Sequence, residues 1–160
     1  MENANQNKTT INAHSVAFEH VARTAAIVKD YFLEKGWEYN VIDFGIDVRY
    51  EVLFSHKHNV KIKLVITVEE DPDICKIEVH IPSDLGKLVS YRFMDEINSD
   101  HVKTLGALVY DSFRKKLVYT YQIITRHGLY KDDLDMATTE SLLWAYKVCD
   151  KIEWWKKTYR

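Results

Sequence analysis

The residues best able to do chemistry are thinly spread over the 160-residue chain. His56 and His58 form its one close histidine pair. On a strand, residues i and i+2 share a face, so both rings would reach one metal ion. Zinc needs at least a third protein ligand, and no Asp, Glu or Cys stands beside the pair at a recognised spacing. A polar hairpin turn, His56-Lys57-His58-Asn59, accounts for the pair without a metal. Asp132, Asp133 and Asp135 make the densest acidic cluster. It lacks the glycine and closing glutamate of a calcium loop, and carboxylates at the start of a helix suit its dipole. The five glycines, at positions 36, 45, 86, 106 and 128, never cluster, which excludes a P-loop or a dinucleotide fingerprint. No Gly-x-Ser-x-Gly elbow marks a nucleophile. Cys75 and Cys149 have no Cys-x-x-Cys or Cys-His neighbour and read as reduced, buried thiols. That usage fits a reducing cytoplasm. These patterns predict no catalytic residue, no metal site and no cofactor.

Aromatic residues are the more informative excess: 4 Trp and 10 Tyr. Trp154 and Trp155 are adjacent, so on a helix they point in different directions. Trp144 lies off the main apolar stripe of the same segment. Trp and Tyr are enriched where proteins meet partners. Trp144, Trp154 and Trp155 are therefore the first candidates for a partner contact, with Tyr119 and Tyr121 behind them. Basic groups at Arg114-Lys115-Lys116 and Lys156-Lys157 lie near aromatics, as on some single-strand RNA platforms. A net charge of −2 weighs against nucleic acid as the partner.

The elements that must position these residues follow from periodicity. Residues 1–13 form a polar, Asn-rich stretch without an apolar core, read as a flexible tail and not a signal peptide. Residues 14–160 read as one domain. Ser15 to Lys35 is an amphipathic helix: Phe18, Val21, Ala22, Ala25, Val28 and Phe32 recur on one face, and Gly36 stops it. Ile42 to Phe54 alternates with a period of two and reads as one long strand. Val60 to Val68 and Cys75 to Ile81 alternate likewise, the latter two separated by a Pro-Asp turn. These three strands form an antiparallel meander with one apolar and one wet face. Leu88, Tyr91, Met94 and Ile97 suit a short helix. Thr104 to Tyr110 and Leu117 to Thr125 are two more strands, and Met136 to Tyr159 is a long closing helix. The predicted fold is α+β, a five-stranded antiparallel sheet with flanking helices in the order α-β-β-β-α-β-β-α. No apolar run is long enough to span a bilayer, so no membrane association is expected.

This order of elements resembles the YbjN-like family of bacterial candidate sensory-transduction regulators, which shares the fold of type III secretion chaperones. The similarity covers about residues 15–158. It rests on Arg92-Phe93-Met94-Asp95-Glu96-Ile97-Asn98 running into Gly106-Ala107-Leu108-Val109-Tyr110-Asp111, then the Tyr-rich strand Leu117-Val118-Tyr119-Thr120-Tyr121 and a long helix. Where the family's hairpin commonly carries glycine, this chain has Ser112, Phe113, Arg114 and Lys115. The resemblance implies a chaperone-like or regulatory adaptor. Together with the aromatic excess, it leads to a non-catalytic, homodimeric, cytoplasmic protein-binding module that takes a partner segment on an apolar, aromatic surface. The alternative is a small ligand- or metal-binding domain or an enzyme with a dispersed site, for which His56, His58 and the Asp132 cluster are the first suspects.

Overall fold

A computed structural model describes residues 3–57, 60–70, 73–82, 106–111 and 113–158, with side chains described from residue 19 onward. The element order is α1 (Asn3–Lys35), β1 (Asn40–Asp43), β2 (Val48–Ser55), β3 (Lys61–Glu69), β4 (Ile74–Pro82), β5 (Ala107–Asp111), β6 (Lys116–Ile124) and α2 (Lys131–Thr158). The helix expected over 88–102, and with it the Arg92 to Asn98 motif, lies outside the described residues. The α+β class holds: one antiparallel sheet carries helices from both ends of the chain.

The sheet has six strands in the order β1-β2-β3-β4-β6-β5, one more than expected. The extra strand comes from the alternating run at 42–54, which is not one strand. The chain reverses between Asp43 and Val48. The Gly45 N–H donates to the Asp43 carboxylate at 2.7 Å, and the Phe44 N–H donates to the Asp47 carbonyl at 2.9 Å. Gly45 takes a φ of 86°, open to a residue without Cβ. The reversal pairs Ile42 with Arg49 and Val41 with Tyr50. Ile42 therefore leaves the face that Val48, Tyr50 and Val52 occupy, although all four share one parity in sequence.

Antiparallel register aligns the apolar parity of every other strand. Tyr50, Ile66, Ile77 and Tyr121 form one row, and Leu64, Val79, Tyr119 and Leu108 form the next. Both helices cover this face. α1 buries Val21, Ala25, Val28, Tyr31 and Phe32 at helical spacing. It ends where Gly36 turns left-handed at φ 65° and the Trp37 N–H donates to the Phe32 carbonyl at 3.1 Å. Its start lies ahead of Ser15, within the stretch read as a polar tail. α2 starts at Lys131 instead of Met136, so Asp132 and Asp133 sit in its first turn, where carboxylates suit the dipole. Tyr31 donates to the Asp135 carboxylate at 3.0 Å, Lys35 pairs with the same carboxylate, and Lys131 pairs with Glu34, tying the two helices together. Tyr50 donates to the Ala25 carbonyl at 2.9 Å, tying α1 to the sheet.

The β5–β6 turn departs from the expected glycine pattern in a specific way. Lys115 itself takes the left-handed conformation, at φ 49°.

Cys75 and Cys149 are both free and buried, as the sequence suggests. Burial, with Glu69 nearby, pushes the Cys75 thiol up to about 12, and burial with Asp150 and Glu153 pushes Cys149 up to about 11. Near pH 8 both stay protonated, and the thiol is a poor nucleophile. Neither cysteine is expected to react with a disulfide reagent such as DTNB in the native protein. Both should react once guanidinium unfolds it. Fast labelling under native conditions would show that one of them is open to solvent.

Candidate functional site

Two surfaces stand out once the helices have covered one face of the sheet. The first is the β1 edge. All four β1 residues are exposed. Val41, Ile42, Phe44 and Ile46 present apolar side chains there, Phe44 with 56% of its surface exposed. Natural edge strands are usually blunted by lysine, proline or a covering element. Residues 40–47 contain no lysine or proline, only Asp43 and Asp47. The Arg49 guanidinium lies 5.4 Å from the Phe44 ring centre and holds the turn against the sheet.

The second is the sheet face opposite the helices. Strand register sets its rows: Arg49, Thr67, Lys76 and Gln122; Glu51, Val65, Glu78 and Thr120; then Leu53, Lys63, His80 and Val118. Three concavities open on this side. One of about 370 Å³ lies between Tyr39, Asn40, Glu51 and Leu53. One of about 270 Å³ is walled by Lys61, Lys63, His80, Arg114 and Lys116. The largest of the three, about 560 Å³, adds Arg49, Lys76, Glu78, Asp111, Val109 and Val118 and shares His80, Arg114 and Lys116 with its neighbour. Lys116 Nζ lies 3.2 Å from His80 Nδ1, and His80 Nε2 lies 3.8 Å from the Glu78 carboxylate. Burial and then the nearby Arg114 charge hold the Lys116 ammonium below its ordinary range. Hydrogen bonding to His80, then the charges of Lys76 and Arg49, hold the Glu78 carboxyl below its own.

The residues singled out from sequence divide between core and surface. Tyr119 is 1% exposed and stacks on Trp144, ring centres 4.7 Å apart. Trp144 and Trp155 are each 7% exposed and belong to the core, because the buried face of α2 is wide enough to take Leu134, Ala137, Ser141, Trp144, Val148 and Trp155. Trp154 is the exposed member of its pair, at 55%. It lies on the same stripe of α2 as the exposed Met136 and Leu143, at seven- and eleven-residue spacing. Tyr121 is partly buried against the core.

His56 is a structural tie. Its Nε2 lies 3.2 Å from the Asp150 carboxylate, and its ring stacks on Tyr146 at 4.8 Å. This pins the β2–β3 turn to α2. Cys149, next to Asp150, is buried with its thiol pKa raised, so the pair has no activated nucleophile beside it. His58 lies outside the described residues. Among the described residues no group of His, Cys, Asp and Glu could hold a metal ion, and no helix is long and apolar enough to cross a membrane.

Among the described residues, these features define an α+β protein with β1 at the edge of its sheet and a charged sheet face opposite the two helices. No family model matches the chain, and no curated protein matches it. Solved structures do share its fold. An uncharacterised protein from Methanothermobacter thermautotrophicus superposes with a TM-score of 0.58 at 14% identity, over 81% of this chain and 96% of that one. YbjN from E. coli, described as a candidate transcription regulator, superposes with a TM-score of 0.51 at 12% identity, over 76% of this chain and 84% of that one. At these identities the likeness is one of fold, in line with the architecture that the family resemblance implies.

Proposed function

We propose that this chain is a non-catalytic protein-binding module of regulatory or chaperone-like type, and that it takes an extended, apolar segment of a partner protein on the β1 edge. The observation that carries this reading is the exposure of Val41 and Ile42 on β1 and of Phe44 and Ile46 in the turn after it, on a strand whose outer side has no neighbour among the described residues. An added strand would bond to the outer backbone groups of β1 while its own apolar side chains pack beside Val41 and Ile42 on the two faces and against Phe44 and Ile46 at the turn. The fold shared with YbjN, itself described as a candidate regulator, supports the reading without naming a partner.

The test compares captures from native lysate by the wild-type protein and by a Phe44→Lys, Ile46→Lys double variant. A stoichiometric partner held by the first and lost by the second, at unchanged melting temperature, is the expected result. Equal capture by both proteins, or none by either, contradicts the reading.

We further propose that the chain acts as a homodimer, with the exposed Met136, Leu143 and Trp154 stripe of α2 at the contact between copies. Light scattering should give a dimer mass for the wild type and a monomer mass for Trp154→Ala. A monomer in both cases removes this part of the proposal.

A further inference from the structure

The sheet face opposite the helices gathers like charges in a way that folding alone does not explain. The smaller concavity draws cationic side chains from three separate parts of the chain: Lys61 and Lys63 on β3, Arg114 in the β5–β6 turn and Lys116 on β6. His80 of β4 stands among them, Leu53 and Pro82 complete the wall, and among the described residues no carboxylate lines it. Like charges brought together across strands destabilise a sheet.

Some of the charge is balanced from outside the wall. Glu51 pairs with Lys63 at 3.0 Å, and Asp111 faces Arg114 at 4.0 Å. Lys61 and Lys116 have no such partner among the described residues. Lys61 donates to the Ser55 hydroxyl, at 2.6 Å, and Lys116 Nζ lies 3.2 Å from His80 Nδ1. Two ammonium groups meet in one concavity without an ion pair of their own among the described residues, and with the Asp111 and Glu78 charges acting on Lys116 only from beside the wall they leave a cradle of donors with net positive charge. The adjoining larger concavity is differently built. Val109 and Val118 give it a partly apolar floor beside Thr120, with Arg49 and Lys76 at its side and the Glu78 and Asp111 carboxylates also in its wall. Small-molecule sites combine an apolar surface with a few fixed charged groups in this manner.

We infer that these two concavities on the sheet face opposite the helices are a binding site for a small organic phosphate, with the phosphoryl group held by Lys61, Lys63, Arg114 and Lys116 and the organic body lying over Val109 and Val118. The site lies on the sheet face, apart from the β1 edge, and does not depend on the partner-segment reading. The size of the concavities suits a metabolite-sized ligand.

Isothermal titration in 150 mM KCl tests this with two probes, inorganic pyrophosphate and ADP. At least one of them should bind saturably at one site per chain. Lys61→Gln and Lys116→Gln should each weaken binding at least tenfold. Both variants should melt no lower than the wild type, because each removes a like-charge neighbour. Lys147→Gln, on the exposed side of α2, should bind as the wild type does. ADP binding tighter than pyrophosphate would place the organic body in the larger concavity. Equal affinities would leave the phosphoryl group as the whole determinant and would overturn the placing of an organic body over Val109 and Val118. Absence of saturable binding by both probes overturns the inference, and so does binding that Lys61→Gln and Lys116→Gln leave unchanged. Binding seen only with a single-stranded RNA oligomer, steeply weakened by salt, also overturns it, because the face would then be a nucleic-acid surface.

Discussion

Trp144→Ala should destabilise the protein by about 3–5 kcal/mol, the usual cost of removing a large buried aromatic. Trp144 is 7% exposed and stacks on Tyr119, which is itself 1% exposed. Truncation leaves a cavity beneath the middle of α2 and also removes the stacking contact, worth about 0.5–1.5 kcal/mol in comparable pairs. In a domain of this size, each kcal/mol lowers the melting temperature by roughly 2–4 °C. A fall of roughly 6–20 °C is therefore expected by calorimetry or circular dichroism. The same experiment separates two roles for this tryptophan. If its first role were a partner contact, the melting temperature would hold and only association would be lost. A shift under about 2 °C would be at odds with the packing described above.

Gly106→Ala has the second largest expected effect, through the same ring. Gly106 immediately precedes β5, and a methyl group there would fall on Cζ and Oη of Tyr119 and 2.7 Å from its Cε2. An exposed tyrosine would swing aside. This one is held between the sheet and Trp144, so neither the ring nor the backbone gives way cheaply. Overpacking of this kind costs about 1–3 kcal/mol. The check is a double-mutant cycle with Tyr119→Leu, read by urea denaturation. The two substitutions should be strongly non-additive, because the smaller side chain removes the obstacle. Additive losses would mean that the two residues do not touch.

The contrast between Trp144 and Trp154 shows how far the amino-acid pattern carries. Adjacent tryptophans on a helix must diverge, and Trp154 and Trp155 do: one exposed, one buried. Periodicity alone could not say how wide the buried face of α2 is. That width depends on α1 and the sheet meeting it from two sides, through contacts more than 100 residues apart in sequence such as Tyr31 with Asp135. Trp144 therefore read as an outlier although it packs at the centre. Strand parity was legible because one face is buried, and the core parity of β2, β3, β4 and β6 follows directly from it. The break in the first alternating run was harder to see. Gly45 was its one signal, since an isolated glycine in a strand pattern marks a turn or bulge. Without using it, the apolar residues Ile42, Phe44 and Ile46 read as core, whereas the hairpin turns them out to form the exposed edge.

The charged face was partly visible. His80 falls on the wet parity, and Arg114-Lys115-Lys116 is a basic group in the sequence. Lys61 and Lys63 join them only through the register that sets Lys63 opposite His80 and Pro82 opposite Lys116. Convergence of charge across three strands is a property of pairing, and no local window in the sequence contains it.

Site-specific photo-crosslinking tests the partner-segment reading most directly. A benzophenone-bearing residue in place of Phe44 would sit beside the exposed β1 edge, and the same group in place of Phe113 would sit on the still more exposed β5–β6 turn at the far side of the sheet. After irradiation in native lysate, one discrete adduct from position 44 and none from position 113 is the expected result. Adducts from both positions alike, or from position 113 alone, would contradict a partner segment docked along β1.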